Sequence, residues 1–422
     1  MVRAAHDLMR LALTTSSSGA DRESASGPAP ALPPRLAGVD VPGLYVHVPF
    51  CFHKCHYCDF YSITRQTPQR MKRFVDLLLA EAAGWSAEAR GPRLRPTSIF
   101  IGGGTPSLLP MEHMARLLSG LRQCFDLSAV EEWTVECNPA TVTLDYCRMM
   151  RGMGVDRLSF GAQSFVPAEL RMLERHHDPQ DVPRSLEVAR QAGFTRLNLD
   201  LIFAIPGQDM ASWRQSLDHA VSLGTGHLSC YALTYEPNTP LAVRRRLGQV
   251  RAVDEELELD MLHETRRRLS EAGFVAYEIS NFAKPGEECR HNLLYWEGGN
   301  YIGLGPSAAS HIEGWRWRNR PHLGEWERAL EAGQMPTMDV EHLTPRRRAG
   351  ELVMLQLRLA RGVVFTDVAR RSGIHIAEEF AAVIERLKGL GLIQVREDGF
   401  GLSEKGLNVA DAVAGEFLTP AG

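Results

Sequence analysis

Three of the chain's eight cysteines crowd into one short segment: Cys51, Cys55 and Cys58, spaced CxxxCxxC within Tyr45-Val-His-Val-Pro-Phe-Cys-Phe-His-Lys-Cys-His-Tyr-Cys-Asp-Phe60. Thiolates this close in sequence suit an iron–sulfur cluster or a zinc ion. A cubane has four irons, so three thiolates leave one iron with an open position. Zinc would take a fourth protein ligand, and His53 or His56 stands ready to supply it. The interleaved Lys54, histidines and Asp59 set the segment apart from a chance grouping of core cysteines.

The elements that must position these thiols alternate between strand and helix. Leu44–Val48 reads as a strand that Pro49 ends, so the cysteines leave its C-terminal end. Further strands are expected over Ser98–Ile101, Glu132–Glu136, Arg157–Phe160, Arg196–Ile202 and His227–Leu233. Helical periodicity follows over Gln69–Trp85, Met111–Phe125, Leu144–Met150, Gln180–Gln191 and Trp213–Ser222. Gly154, Gly193 and Gly224 fall where helix C-caps belong. Six βα units in series predict an α/β fold: a parallel sheet with right-handed crossovers, rolled into a partial (β/α)6 barrel rather than a closed barrel of eight. Barrels of this kind work at the C-terminal ends of their strands.

Further groups fall at those ends. Gly102-Gly103-Gly104-Thr105-Pro106-Ser107 would let backbone approach a ligand and supply free N–H donors. Glu136, Gln163 and Asp200 follow at successive strand ends, with Arg175 on the helix after the fourth. Taken singly, each reads as well as a satisfied core contact or an exposed polar residue. The segment from Glu278 to His311 breaks the repeat; Gly298, Gly299, Gly303 and Gly305 predict a close-packed loop rather than a helix. Within it His291-Asn-Leu-Leu-Tyr295-Trp296 places an imidazole beside two flat aromatics.

CxxxCxxC after a strand resembles the cluster loop of radical S-adenosylmethionine (radical SAM) proteins. Tyr45-Val-His-Val-Pro-Phe and Gly-Gly-Gly-Thr-Pro narrow the resemblance to the oxygen-independent coproporphyrinogen III oxidase group. The oxidases carry a further cysteine two places after the third; this chain has Phe60, as in the HemW-type haem-chaperone branch. The resemblance implies a [4Fe–4S] cluster on Cys51, Cys55 and Cys58. It implies S-adenosylmethionine on Gly103, Gly104 and Thr105 for the amino group, Glu136 and Gln163 for other polar groups, Arg175 for the carboxylate and Asp200 for a ribose hydroxyl. Tyr45, Tyr57, Ala232 and Ala309 match further cofactor-lining positions by type and order. HNxxYW is associated with haem in that branch, which makes His291, Tyr295 and Trp296 candidates, with Cys289 a competing axial ligand. His176 and His177 should border the S-adenosylmethionine site. The resemblance covers about Gly43 to Leu418.

Composition bounds the rest. A net charge of −4 gives no electrostatic footprint for nucleic acid. No apolar run approaches the ~18 residues of a bilayer span, so any membrane contact would be peripheral. The remaining cysteines are scattered at no disulfide-like spacing, which fits a reducing cytoplasmic setting. Residues 1–37, rich in Ala, Ser, Pro and Gly, read as a disordered leader. Residues 38–320 form the expected radical SAM region and 344–422 a mostly helical, winged-helix-like domain. Its helical patterns span Arg348–Leu359, Thr366–Ser372, Ala377–Leu390 and Glu404–Leu418, with a hairpin over Leu392–Leu402. Two functions follow. One is a haem chaperone that holds a cluster and S-adenosylmethionine and passes haem to an acceptor protein. The other is a radical decarboxylase of coproporphyrinogen III.

Overall fold

The computed structural model describes residues 36, 38–88 and 93–418; the expected leader lies outside them except for Leu36, which is buried in the main apolar core. Six parallel strands lie side by side in chain order: β1 (Gly43–Val48), β2 (Ser98–Gly103), β3 (Glu132–Cys137), β4 (Arg157–Gln163), β5 (Arg196–Phe203) and β6 (His227–Ala232). All six sequence-predicted strands are present. Helices cover the outer face, where Val46, Val48, Ile99, Ile101, Leu158 and Leu199 are buried in one large apolar core. That core explains why the helical periodicity could be read: each crossover helix has one buried stripe.

The sheet is wider than six strands. Tyr301–Leu304 adds parallel to β1, and an antiparallel ribbon of Ala309–Ile312, Trp315–Asn319 and Thr337–His342 extends that edge. Asn281–Ala283 and Val275–Ala276 run antiparallel beyond β6. The sheet is therefore open, a partial barrel as expected. Among the described residues no helix is long and apolar enough to cross a membrane.

One expectation fails here. The 278–311 segment is not a loop: Arg290–Trp296 is a helix, flanked by Asn281–Ala283 and Tyr301–Leu304. Its glycines serve the boundaries instead. Gly298 sits at φ +66° just past the helix, and a Cβ on Gly303 would lie 2.2 Å from the carbonyl oxygen of Ala309 in the neighbouring strand.

The C-terminal region packs helices around a three-stranded sheet of Val363–Val364, Gly399–Leu402 and Ile393–Arg396, so the predicted hairpin is real. Two predicted helices are each broken. Ile376–Glu379 and Ala381–Gly389 are separated at Phe380 (φ −112°, ψ 22°), whose ring is buried against Phe417. Glu404–Leu407 and Ala410–Gly415 are separated at Val409. Trp296 belongs to this region's apolar core, with Leu352, Leu355 and Val413. Arg358 lies 4.5 Å over its ring, and Arg371 donates to the carbonyls of Glu297 and Gly298. Trp296 thus joins the two parts of the chain. Trp296→Ala is expected to cost about 3–5 kcal/mol, read as a lowered midpoint in denaturant unfolding.

Candidate cluster and cofactor site

Pro49 ends β1, and the chain turns back on itself before Ile63, which pairs with the loop's start: Cys51 N–H donates to the Ile63 carbonyl at 3.0 Å and Ile63 N–H to Pro49 at 2.7 Å. The cysteines hang on this closed loop at the C-terminal ends of the strands. They line a cavity of about 190 Å³ together with Tyr57, Phe60, Gly103, Gly104, Thr105, Glu136, Gln163, Arg175 and Asp200. Thr105 Oγ1 donates to Cys51 Sγ at 3.7 Å and Arg175 donates to Cys55 Sγ at 3.8 Å. Burial pushes the Cys51 thiol up and the Cys58 thiol to about 12. The thiolate form therefore needs a metal's positive charge. A single tetrahedral ion draws sulfurs to about 3.8 Å from one another, given a Zn–S bond of ~2.3 Å. Among the described residues the three thiols do not form a group with ligand atoms within 4.8 Å of one another, whereas His53, Glu174 and His176 do.

The glycine turn is built differently from expectation. Its N–H groups are spent: Gly103 donates to Glu136 Oε2 at 3.1 Å, Gly104 to the Val48 carbonyl at 2.8 Å and Thr105 to the Phe50 carbonyl at 2.7 Å. The glycines are needed because side chains would collide. A Cβ on Gly103, at φ +105°, would lie 2.5 Å from the His47 imidazole, and one on Gly104 would lie 2.7 Å from the Phe50 carbonyl oxygen. The turn clamps β2 against the cluster loop.

Burial, and next the charge of Asp200, raise Glu136 to about 7, while its bond from Gly103 pulls the other way. Asp200 accepts from Asn198 Nδ2 at 2.8 Å and Ser159 Oγ at 3.1 Å. Gln163 sits at φ +65° in a bulge where β4 and β5 shift register, which turns its side chain into the cavity. Arg175 donates to the Gly161 carbonyl at 2.7 Å, and its Nε is buried without a partner. An orphaned guanidinium N–H in a polar cavity suits a carboxylate ligand.

Four assignments do not converge on this cavity. Tyr45 lies deeper in the barrel, donating to His47 Nδ1 at 3.0 Å, because His47 Nε2 must donate to the Tyr61 carbonyl at 2.9 Å. Ala232 opens onto a neighbouring cavity, and Ala309 lies on the antiparallel ribbon in contact with a small space near His311. Residue type and order, which singled out both alanines, carry no direction. His177 is buried and held near 4 by burial and then Arg175, while His176 does border the cavity.

The HNxxYW residues sit at the opposite end of the strands. Glu132, at the start of β3, accepts from the N–H of Arg290 (3.1 Å), the N–H of His291 (3.2 Å) and the thiol of Cys289 (3.2 Å). Arg196, at the start of β5, pairs with the same carboxylate at 2.8 Å. His291 is 1% exposed, with Nδ1 bonded to Ser98 Oγ and Nε2 to Tyr295 Oη, both at 3.0 Å. His291, the candidate haem ligand, and Cys289, its competitor, thus both plug the floor of the barrel with their polar atoms engaged. Tyr295, Trp296 and Asn292 instead face a cavity of about 420 Å³ between β6, Ile279–Asn281 and the C-terminal helices. Tyr231 lines both cavities. Sequence reading missed Tyr231, Ser159 and Asn198, which only the two-residue alternation of β4 to β6 could have pointed inward.

Comparison with known proteins follows the same lines. Residues 45–220 match the family model of the radical SAM superfamily, and residues 343–409 that of the HemN C-terminal domain. Heme chaperone HemW of Mycobacterium tuberculosis (strain H37Rv) is 36% identical over 402 residues, covering 91% of this chain and 99% of that protein. Heme chaperone HemW of Bacillus subtilis (strain 168) is 34% identical over 375 residues, covering 89% and 98%. Among solved structures, coproporphyrinogen III oxidase (HemN) from Escherichia coli, a radical SAM enzyme, has a TM-score of 0.79 at 25% identity, covering 90% of this chain and 91% of that one.

Proposed function

The chain belongs to the HemW family within the radical SAM superfamily, and we propose that it is a haem chaperone. In this reading it carries a [4Fe–4S] cluster and S-adenosylmethionine, binds haem and passes it to an acceptor protein, in the cytoplasm. The observation that carries it is likeness to HemW over 99% of a relative's length, with Phe60 on the cavity wall where the oxidases place another cysteine.

When bound, the cluster supplies an open iron and an electron for S-adenosylmethionine. The protein's part is positioning. Arg175 holds the ligand's carboxylate, Asp200 a ribose hydroxyl, and Glu136 and Gln163 its remaining polar groups. Asn198 and Ser159 fix Asp200 from below. Arg175→Ala should weaken S-adenosylmethionine binding by about tenfold or more, the worth of a charge-assisted pair. Asp200→Ala should do so less. Isothermal titration of cluster-loaded protein reads both, and unchanged affinity in either variant would remove that residue from the site.

Haem is assigned to the 420 Å³ cavity, against Tyr295 and Trp296, with Arg358 on its wall for a propionate. His291 reaches that cavity only if its helix leaves the barrel floor. The rival function, oxidative decarboxylation, draws on the likeness to HemN. Haem titration and a decarboxylation assay on one anaerobic preparation separate them. We expect near-stoichiometric haem binding and no conversion of coproporphyrinogen III. Cluster-dependent release of carbon dioxide would restore the enzyme.

A further inference from the structure

The histidines beside the cluster loop form a group that neither cluster nor S-adenosylmethionine binding uses. His53 stands between Cys51 and Cys55; Glu174 and His176 flank Arg175 on the turn after the helix Pro167–Met172. One ligand atom from each lies within 4.8 Å of the other two. His53 Nε2 is 3.8 Å from Glu174 Oε2, and the imidazoles of His53 and His176 meet edge to face with centroids 4.4 Å apart. His53 Nε2 is shielded from solvent and has no hydrogen-bond partner.

Glu174 holds its place at a cost. Its φ is +54°, and the Arg175 N–H closes the turn on the Leu170 carbonyl at 2.9 Å. That is the left-handed position past a helix end where glycine is usual. A side chain bearing a Cβ keeps that backbone strained, and the Glu174 carboxylate is turned to His53. Strained non-glycine residues of this kind cluster where a ligand is held.

We propose that His53, Glu174 and His176 bind one first-row divalent transition ion at the mouth of the cavity, in addition to the cluster. Two imidazoles and one carboxylate suit Zn²⁺, Fe²⁺, Co²⁺ or Ni²⁺ rather than Mg²⁺ or Ca²⁺. Ligand atoms on a common ion at ~2.0–2.2 Å stand roughly 3–3.5 Å apart. The 3.8 Å gap between His53 and Glu174 closes to that by a small side-chain rotation. The ion ties the cluster loop to the turn bearing Arg175, whose guanidinium already touches Cys55 Sγ. The proposal is independent of the haem-chaperone reading, since it needs neither haem nor an acceptor.

Zinc is the probe, because it is redox-silent beside the cluster. Cluster-loaded protein, dialysed anaerobically against Zn²⁺, should retain one zinc per chain with its iron undiminished. Zinc-edge X-ray absorption should show nitrogen and oxygen neighbours near 2.0–2.1 Å and no sulfur shell near 2.3 Å. His176→Ala, at an exposed position, should weaken zinc by roughly tenfold or more, as even an outer-sphere partner is worth about that. Glu174→Gly should lose zinc in the same way while raising the melting temperature, because glycine relieves the left-handed backbone. That opposition separates a ligand from a merely structural residue. A sulfur shell at the zinc edge, iron lost as zinc is gained, or unchanged zinc affinity in both variants would overturn the proposal.

Discussion

Anaerobic reconstitution of the wild-type chain is expected to yield about four irons and four sulfides per chain, and the chain with Cys51, Cys55 and Cys58 all changed to alanine none. The expectation rests on where the eight thiols lie and what they bond to. These three thiols share one loop at the strand ends, whereas Cys289 donates to Glu132 on the barrel floor and Cys147 and Cys230 are buried away from the cluster cavity; Cys137 lines the same cavity, but its thiol donates to the Val135 carbonyl at 3.8 Å. Cys124 is half-buried far along the chain, with its thiol towards the Leu79 carbonyl. None of them lies on the cluster loop. Iron, sulfide and the broad visible absorption of the cluster are therefore expected to vanish together in the triple variant and to persist in Cys124→Ala. Equal loss on changing Cys124 would mean the ligands are misassigned, and stoichiometric zinc without iron would replace the cluster altogether.

What the sequence made legible was what repeats or what is local. Each βα unit shows its strand as a short run of apolar or alternating residues and its helix as a 3.6-residue stripe, so the ends of β1 to β6 could be placed to within three residues. The cysteine loop is local as well, its three ligands lying on one closed turn. Arg175 and Asp200 could be found through the family resemblance, which matched polar residues recurring in order at successive strand ends. Legibility failed where position depends on a distant partner. The strands beyond β6 and before β1 are two to six residues long and take their shape from pairing across the sheet. The glycine turn looked like a row of donors, but its N–H groups are consumed by Val48, Phe50 and Glu136, two of them on another strand's exit. The glycines of the 278–311 segment masked a helix because they punctuate its ends. Glu174 gave no signal at all, since a left-handed backbone at a non-glycine residue is invisible in composition.

His291 is where the sequence and the structure part most, and its substitution separates two roles. As a haem ligand it would need a free ring nitrogen; as a floor brace it needs both engaged, which is how Ser98 and Tyr295 hold it. His291→Ala orphans those two hydroxyls and leaves a cavity, so a loss of about 3 kcal/mol is expected. His291→Gln can keep one or both bonds and should lose less. The pH dependence gives the sharper sign. Burial holds the His291 ring at about 4, below its ordinary 6.5. As pH falls below 6.5 the unfolded chain takes the proton first, so this stabilisation is whole above 6.5 and decays towards pH 4. At about 1.4 kcal/mol per pH unit the full decay is about 3 kcal/mol. Glu81, which burial raises to about 7, works in the opposite sense: its folded form binds the proton first, adding stability as pH falls from 7. The whole chain's acid curve mixes the two, and the difference between wild type and His291→Gln isolates the histidine. We expect wild type to lose about 3 kcal/mol relative to His291→Gln from pH 7 to pH 4 in urea unfolding, enough to reverse their order, with the haem spectrum at pH 7 unchanged in the variant. An altered haem spectrum in His291→Gln, with wild-type stability at both pH values, would make His291 an iron ligand and require its helix to leave the barrel floor when haem binds.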